Sequence, residues 1–119
     1  MATFTKNHLS GSTDGKMIKV AATATPGTTI HTGPTNTGHF HEVWLYAVNS
    51  DTTDRKLTIE FGGTASPDDL IEFTVKAENG LYLIVPGLVL QGNASALVVR
   101  AFAATTNVIS IAGYVNEIA

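Results

Sequence analysis

Two histidines one residue apart are the strongest candidates for chemistry in this sequence, within the segment "TGHFHEVWLYAVNSD" at residues 37–51. In a β-strand His39 and His41 point to the same side, and two imidazoles on one face can bind a transition metal. A catalytic metal site needs further ligands, usually a third histidine or a carboxylate. Glu42 follows at once and points to the opposite face, so it does not complete the set.

The histidine pair is similar to the metal-binding arrangement of cupins, small β-barrel proteins that add a downstream carboxylate and a histidine from a later strand. The later segment "GLYLIVPGLVLQGN" has the Gly, Pro and Asn residues of that family, but Leu88, Val89 and Leu90 occupy the region of its histidine. His31 could in principle complete a site from an earlier segment, whereas His8 lies near the N-terminus. We therefore expect the pair to open a strand at a solvated edge, with no metal and no other cofactor bound.

The remaining reactive side chains have ordinary structural explanations. Asp68 and Asp69 follow Pro67 in a predicted turn, where aspartates bond to nearby backbone N–H groups. Glu60 and Glu72 alternate with apolar residues and are predicted to lie on solvated strand faces. The serines lack a nucleophile-elbow context, and the glycines do not form a phosphate loop. The sequence thus predicts a protein without catalytic residues, which is not an enzyme.

The amino-acid composition argues against two classes of binding partner, nucleic acids and membranes. The chain has 119 residues, a formal net charge of −3, 14% charged residues and no cysteine. Without a basic patch, binding to nucleic acid lacks its main driving force. The N-terminus has no apolar segment typical of a secretory signal, and no apolar run reaches the length of a membrane span. We expect a protein made in the cytoplasm that binds neither nucleic acid nor a membrane.

Apolar runs separated by Gly, Pro, Asn and Asp predict an all-β chain of about eight strands. Such a chain fits an antiparallel β-sandwich, with a jelly roll as the leading topology. The pattern predicts a flexible N-terminal arm over residues 1–15 and one sandwich domain over 16–119, with Pro86-Gly87 as a turn. The predicted strands are 16–24, 28–32, 40–49, 55–61, 70–75, 81–85, 96–103 and 108–118.

The run Val43–Val48 is apolar on both of its faces, so both faces need cover. Trp44 and Tyr46 share one of these faces. Exposed aromatic residues on a sheet can stack on sugars or anchor a subunit interface. With one tryptophan and no polar cluster along the same strand, the pattern favours an interface or the core over a sugar site.

Three stretches of the chain carry a resemblance: "ATATPGTTIHTGP", "EVWLYAVNSDTTDRKLTIEFGGTASPDDLIEFTV" and "GLYLIVPGLVLQGNASALVVRAFAATTNVISIAGYVNEI". They resemble small β-sandwich virion proteins of tailed bacteriophages that decorate or cement the capsid surface. The resemblance runs from about residue 21 to the end of the chain. It implies a jelly-roll-like fold, self-association often as homotrimers, and docking of the protein on the major capsid protein of an assembled shell.

From these features we expect Trp44 and Tyr46 to lie near a subunit contact. We expect Phe4 and Leu9 to contribute to docking through the arm, which would order on binding. Two alternatives stay open: a tail, neck or fibre component of the virion, and a carbohydrate-binding β-sandwich module.

Overall fold

The structure, a computed structural model, describes residues 2–119. These residues form strands arranged in two antiparallel sheets that pack together as a β-sandwich. Among them there is no helix long and apolar enough to cross a membrane. The strands are β1 (Phe4–His8), β2 (Ile18–Lys19), β3 (Thr28–Thr32), β4 (Phe40–Asn49), β5 (Arg55–Phe61), β6 (Leu70–Val75), β7 (Tyr82–Gln91), β8 (Val98–Ala103) and β9 (Ile109–Ile118).

The strand order is that of a jelly roll. The first sheet has the order β1-β9-β4-β7, with β2 also paired to β9, and the second has the order β3-β8-β5-β6. When β1 and β2 are counted as one interrupted strand, the chain changes sheets at every connection except the β5–β6 hairpin. The all-β, antiparallel sandwich predicted from the sequence is confirmed.

Alternation of side chains along the strands builds the core. In β4 the residues Val43, Leu45 and Ala47 are fully buried, while the residues between them remain partly exposed. In β8 the same alternation buries Val99 and Ala101. Because adjacent strand residues point to opposite faces, this period of two places one apolar row of β4 and one of β8 between the sheets.

Strand β7 differs from its prediction, because it continues through Pro86-Gly87 instead of turning there. Its pairing with β4 shifts register twice, between Val43 and Trp44 and between Leu45 and Tyr46. These irregularities allow proline and a glycine with a φ of 78° to be accommodated within an edge strand. The result is a ten-residue strand at the free edge of the first sheet.

The N-terminal segment also differs from the predicted arm, of which Met1 lies outside the described residues. Strand β1 pairs antiparallel with the C-terminal half of β9, from Phe4 opposite Ile118 to His8 opposite Tyr114. Leu9 then enters the core, where it is 1% exposed. A single buried leucine and a backbone ladder hold a segment whose polar sequence shows no core pattern.

On the second sheet Glu60 differs most clearly from its prediction, because it is fully buried and does not lie on a solvated face. Its carboxylate accepts hydrogen bonds from the Thr25 hydroxyl at 2.5 Å and from the Gly27 backbone N–H at 2.7 Å. The loop that leads into β3 therefore covers this face of β5. Glu72 on the neighbouring strand is exposed, as its pattern predicts, and it forms an ion pair with Lys56.

Candidate functional site

One residue of the histidine motif, His41, belongs to a hydrogen-bonded series of polar side chains between the two sheets, which ends at the partly exposed Glu117. His41 faces inward from β4 and is 9% exposed, and His31 faces it from β3 and is 3% exposed. The Nε2 atom of His31 lies 2.8 Å from Nδ1 of His41. At the far side of His41, its Nε2 lies 3.1 Å from a carboxylate oxygen of Glu117 on β9.

Hydrogen bonds at the two ends fix the tautomers of both imidazoles. The backbone N–H of Ser10 donates to Nδ1 of His31 at 3.0 Å, so that nitrogen carries no proton. Neutral His31 then holds its proton on Nε2 and donates it to Nδ1 of His41. His41 in turn donates from Nε2 to the Glu117 carboxylate. The hydrogen bonds thus all donate in one direction, from the N-terminal segment through the two imidazoles to β9.

This direction argues against the metal site that the motif suggested. Nε2 of His31 and Nδ1 of His41 share one proton. A metal bound to Nε2 of His31 would displace that proton to Nδ1 of the same ring, where it would face the backbone N–H of Ser10. Within residues 2–119 no cluster of three or more His, Asp or Glu side chains is placed to hold a metal ion. The prediction that no metal binds remains to be tested by experiment.

Burial of the His31 imidazole lowers the pKa of His31 to about 4, and electrostatic repulsion from His41 is the second cause. A cleft of about 460 Å³ opens beside the pair, with Ser10 and Thr32 in its lining, so protons from solvent can reach it. The serine contacts His31 through its backbone N–H, and its hydroxyl instead accepts the Thr32 N–H at 2.7 Å. The hydrogen bond from Ser10 to His31 therefore links the N-terminal segment to the core in a way that depends on pH. Ser10 is not an activated nucleophile.

The two residues of the motif have different surroundings. His39 remains 38% exposed at its side chain, and its Nδ1 lies 3.8 Å from the same Glu117 oxygen. His41 is buried, so the predicted solvated edge is wrong for this residue. The sequence could not reveal Glu117 as the partner, because the pairing of β4 with β9 brings together residues 76 positions apart.

A second candidate site lies on the outer face of the first sheet. Trp44 and Tyr114 are directly paired residues of β4 and β9, and both are partly exposed. Their rings are 6.1 Å apart between centroids and inclined by 15°. Tyr46 follows on the same face of β4, so the two predicted aromatic residues lie on one surface, outside the core.

The third candidate is the free edge formed by β7. Three apolar side chains of this strand are exposed: Leu83 by 45%, Leu88 by 41% and Val89 by 54%. Leu81 precedes them and is 57% exposed. Beyond β7 no further strand of residues 2–119 pairs with the sheet, so one side of its backbone has no strand partner. The sequence does not indicate these residues, because Pro86-Gly87 is typical of a turn.

The predicted docking residues of the N-terminus are separated by the fold. Phe4 is 71% exposed at the edge formed by β1, whereas Leu9 is enclosed in the core and its side chain cannot reach a partner in this conformation.

The sequence matches no family model, and no curated protein or solved structure is significantly similar to it.

Proposed function

We propose that this protein is a non-enzymatic structural protein of a tailed-phage virion that decorates or cements the capsid surface as a homo-oligomer. The observation that carries the assembly part of the proposal is the exposed apolar edge formed by β7. The virion and its capsid enter through the resemblance of the sequence described above. The low charge of the chain, 14% of its residues, fits a protein whose surface is partly covered by partners.

An exposed, long and apolar edge strand is a hazard unless a partner covers it. Folded proteins usually protect such strands with charges, with bulges or with covering loops. In β7 the two register shifts limit extended strand pairing, while Leu83, Leu88 and Val89 remain open to solvent. Such an edge suits one defined contact with a second copy, made mainly by side chains.

The free energy that this contact would contribute is compatible with reversible assembly. Burial of a large apolar side chain contributes about 1.5–3 kcal/mol when it was fully exposed, and these side chains are about half exposed. The three side chains, of which Leu88 and Val89 point to opposite faces of β7, together contribute a few kcal/mol per copy before the costs of association are subtracted. In a closed ring every copy makes two contacts, one through its β7 edge and one through a different surface that receives the edge of the next copy, and this arrangement agrees with the trimer that the resemblance implies.

The test is the mass of the purified protein in solution, measured by sedimentation equilibrium over a range of concentrations. We expect a multiple of the 12.5 kDa chain mass, with a trimer as the first choice. The double variant Leu83→Lys/Val89→Lys should sediment as a monomer, because it places charges on the apolar edge. Thr74→Lys, on the exposed edge strand β6 of the other sheet, is the control and should keep the mass of the original protein.

A further inference from the structure

The N-terminal segment, residues 3–11, is held to the rest of the molecule at two separate places. Residues 3–8 pair with the end of β9, and all five side chains of β1 are exposed. Leu9 then enters the core, and the two residues that follow it bind to β3 of the other sheet. Apart from Leu9, the segment is therefore held by backbone pairing with β9 and by its attachment to β3.

Three hydrogen bonds form the attachment to β3. The backbone N–H of Gly11 donates to the carbonyl of Ile30 at 3.0 Å. The backbone N–H of Thr32 donates to the hydroxyl of Ser10 at 2.7 Å. Between these two, the backbone N–H of Ser10 donates to Nδ1 of His31 at 3.0 Å. Of the three acceptors only the imidazole can take up a proton near neutral pH, so this hydrogen bond is the one that acid can remove.

The proton arrangement of the two imidazoles leaves no favourable place for a third ring proton. In the neutral pair Nδ1 of His31 is bare toward Ser10, one proton lies between facing nitrogens 2.8 Å apart, and one points from Nε2 of His41 to Glu117. A third proton on Nδ1 of His31 would face the Ser10 N–H. A third proton between the rings would place two N–H groups against each other. Either form replaces an attractive contact by a repulsive one.

The surroundings of His31 do not compensate for a positive charge. Strand β8, which pairs with β3, places the apolar Val99 opposite His31. The charged or titratable side chains around the pair, among residues 2–119, are Lys6 and His8 of β1, His39 and His41 of β4, and Glu117 of β9. Glu117 is the one carboxylate of this group, and it lies against His41 and His39 and not against His31.

We propose that residues 3–11 detach from β3 and β9 when the His31–His41 pair takes up a proton, while the rest of the sandwich stays folded. Detachment separates Ser10 from Nδ1 of His31 and lets solvent reach the pair through the cleft of about 460 Å³ beside it. It also frees the edge of β9 and places Phe4 and Leu9 on one exposed segment. This behaviour does not require the proposed virion function.

The direction of the pH effect follows from linkage. In the attached form the pKa of His31 is lowered from 6.5 to about 4, mainly by burial and secondly by His41. The detached form therefore binds the proton more readily, and acid favours it. The detached fraction rises as the pH falls from about 6.5 to about 4, by at most about tenfold per pH unit for one proton.

The experiment is hydrogen exchange of the ¹⁵N-labelled full-length protein at pH 7 and pH 5, followed by NMR and corrected for the intrinsic pH dependence of exchange. We expect the amides of β1 to be less protected than those of β4 at both pH values, because β1 opens without global unfolding. Their protection should fall by about tenfold or more from pH 7 to pH 5. The imidazole ¹⁵N signals should show Nδ1 of His31 without a proton at pH 7.

His31→Asn is the most informative variant, because its amide oxygen lies near the position of Nδ1 and can accept the Ser10 N–H without taking up a proton. In this variant β1 should be as well protected at pH 5 as at pH 7. His8→Gln is the matched control, since it removes another histidine from the lining of the same cleft, and it should keep the pH response of the original protein.

Three results would overturn the proposal: equal protection of β1 at both pH values in the original protein, a pH response that persists in His31→Asn, or equal protection of β1 and β4. The last result would mean that the proton acts only on unfolding of the whole domain. If His31→Asn does not fold, the original protein still decides, because a proton on Nδ1 of His31 at pH 7 would contradict the arrangement.

Discussion

At the scale of single residues, the His31–His41–Glu117 chain makes the stability of the fold depend on pH. His31 has a pKa of about 4 in the folded protein against 6.5 as its ordinary value, with burial as the main cause and His41 as the second. Between these values the unfolded chain binds more protons, so stability falls as the pH decreases from about 6.5 to about 4. Above 6.5 this contribution is fully present.

We predict a loss of about 3 kcal/mol in the free energy of unfolding across this range, because one pKa unit corresponds to about 1.4 kcal/mol. Urea unfolding measured at a series of pH values tests this. The variant His31→Leu should be less stable at pH 7, where Ser10 and His41 lose their partner, but should show a smaller decrease toward pH 4. His8→Gln, on the exposed strand β1, should reproduce the original pH profile. A profile for His31→Leu as steep as the original one would contradict this assignment.

Glu60 provides a second test at this scale. Substitution Glu60→Ala leaves the Thr25 hydroxyl and the Gly27 N–H without their acceptor, and we expect a loss of about 2–4 kcal/mol in stability. Glu72→Ala removes an exposed carboxylate from the neighbouring strand and should change the melting temperature little. Equal effects of the two substitutions would show that the burial of Glu60 has no energetic role.

The two glutamates also show what a sequence can predict of a residue. Both alternate with apolar neighbours, and alternation correctly assigns them to the outer side of their sheet. Whether a loop covers that side depends on residues about 35 positions away, and nothing in the alternation encodes them. The same limit explains why the sequence did not indicate Tyr114 as the partner of Trp44, because their strands, β4 and β9, lie far apart in sequence.

At the scale of secondary structure elements, strands with regular alternation were predicted accurately. The predicted bounds of β3, β4, β5 and β6 agree with the structure. The predictions fail at β1, which has no buried side chain, and at β7, where an edge position tolerates proline and glycine. In both strands the backbone pairing decides the structure, and side-chain patterns do not report it.

Leu9 tests whether one side chain anchors strand β1. We expect Leu9→Ala to cost about 2–4 kcal/mol, because it removes a fully enclosed side chain from the core. Phe4→Ala should cost less than about 0.5 kcal/mol, since Phe4 is largely exposed. Hydrogen exchange of the amides of β1 should accelerate in Leu9→Ala and not in Phe4→Ala. Unchanged exchange in Leu9→Ala would mean that the backbone ladder alone holds the strand.

At the scale of the whole molecule, the low content of charged residues gives a prediction about assembly. Long-range electrostatic steering is weak for such a chain, so the proposed binding to a shell should depend little on ionic strength. Occupancy of shells measured at low and at physiological salt should be nearly equal. A steep loss of binding with added salt would indicate a charged docking surface and would contradict an apolar contact.

The proposed function is tested most directly by mixing the full-length protein with undecorated capsid shells of tailed phages and imaging the particles by cryo-electron microscopy. We predict ordered density for the protein on the outer surface of a shell, in oligomers placed at symmetry-related positions. Leu83→Lys/Val89→Lys should give much lower occupancy, whereas Thr74→Lys should bind as the original protein does. Shells that remain bare with the original protein at saturating concentration would contradict the decoration function, whatever its mass in solution.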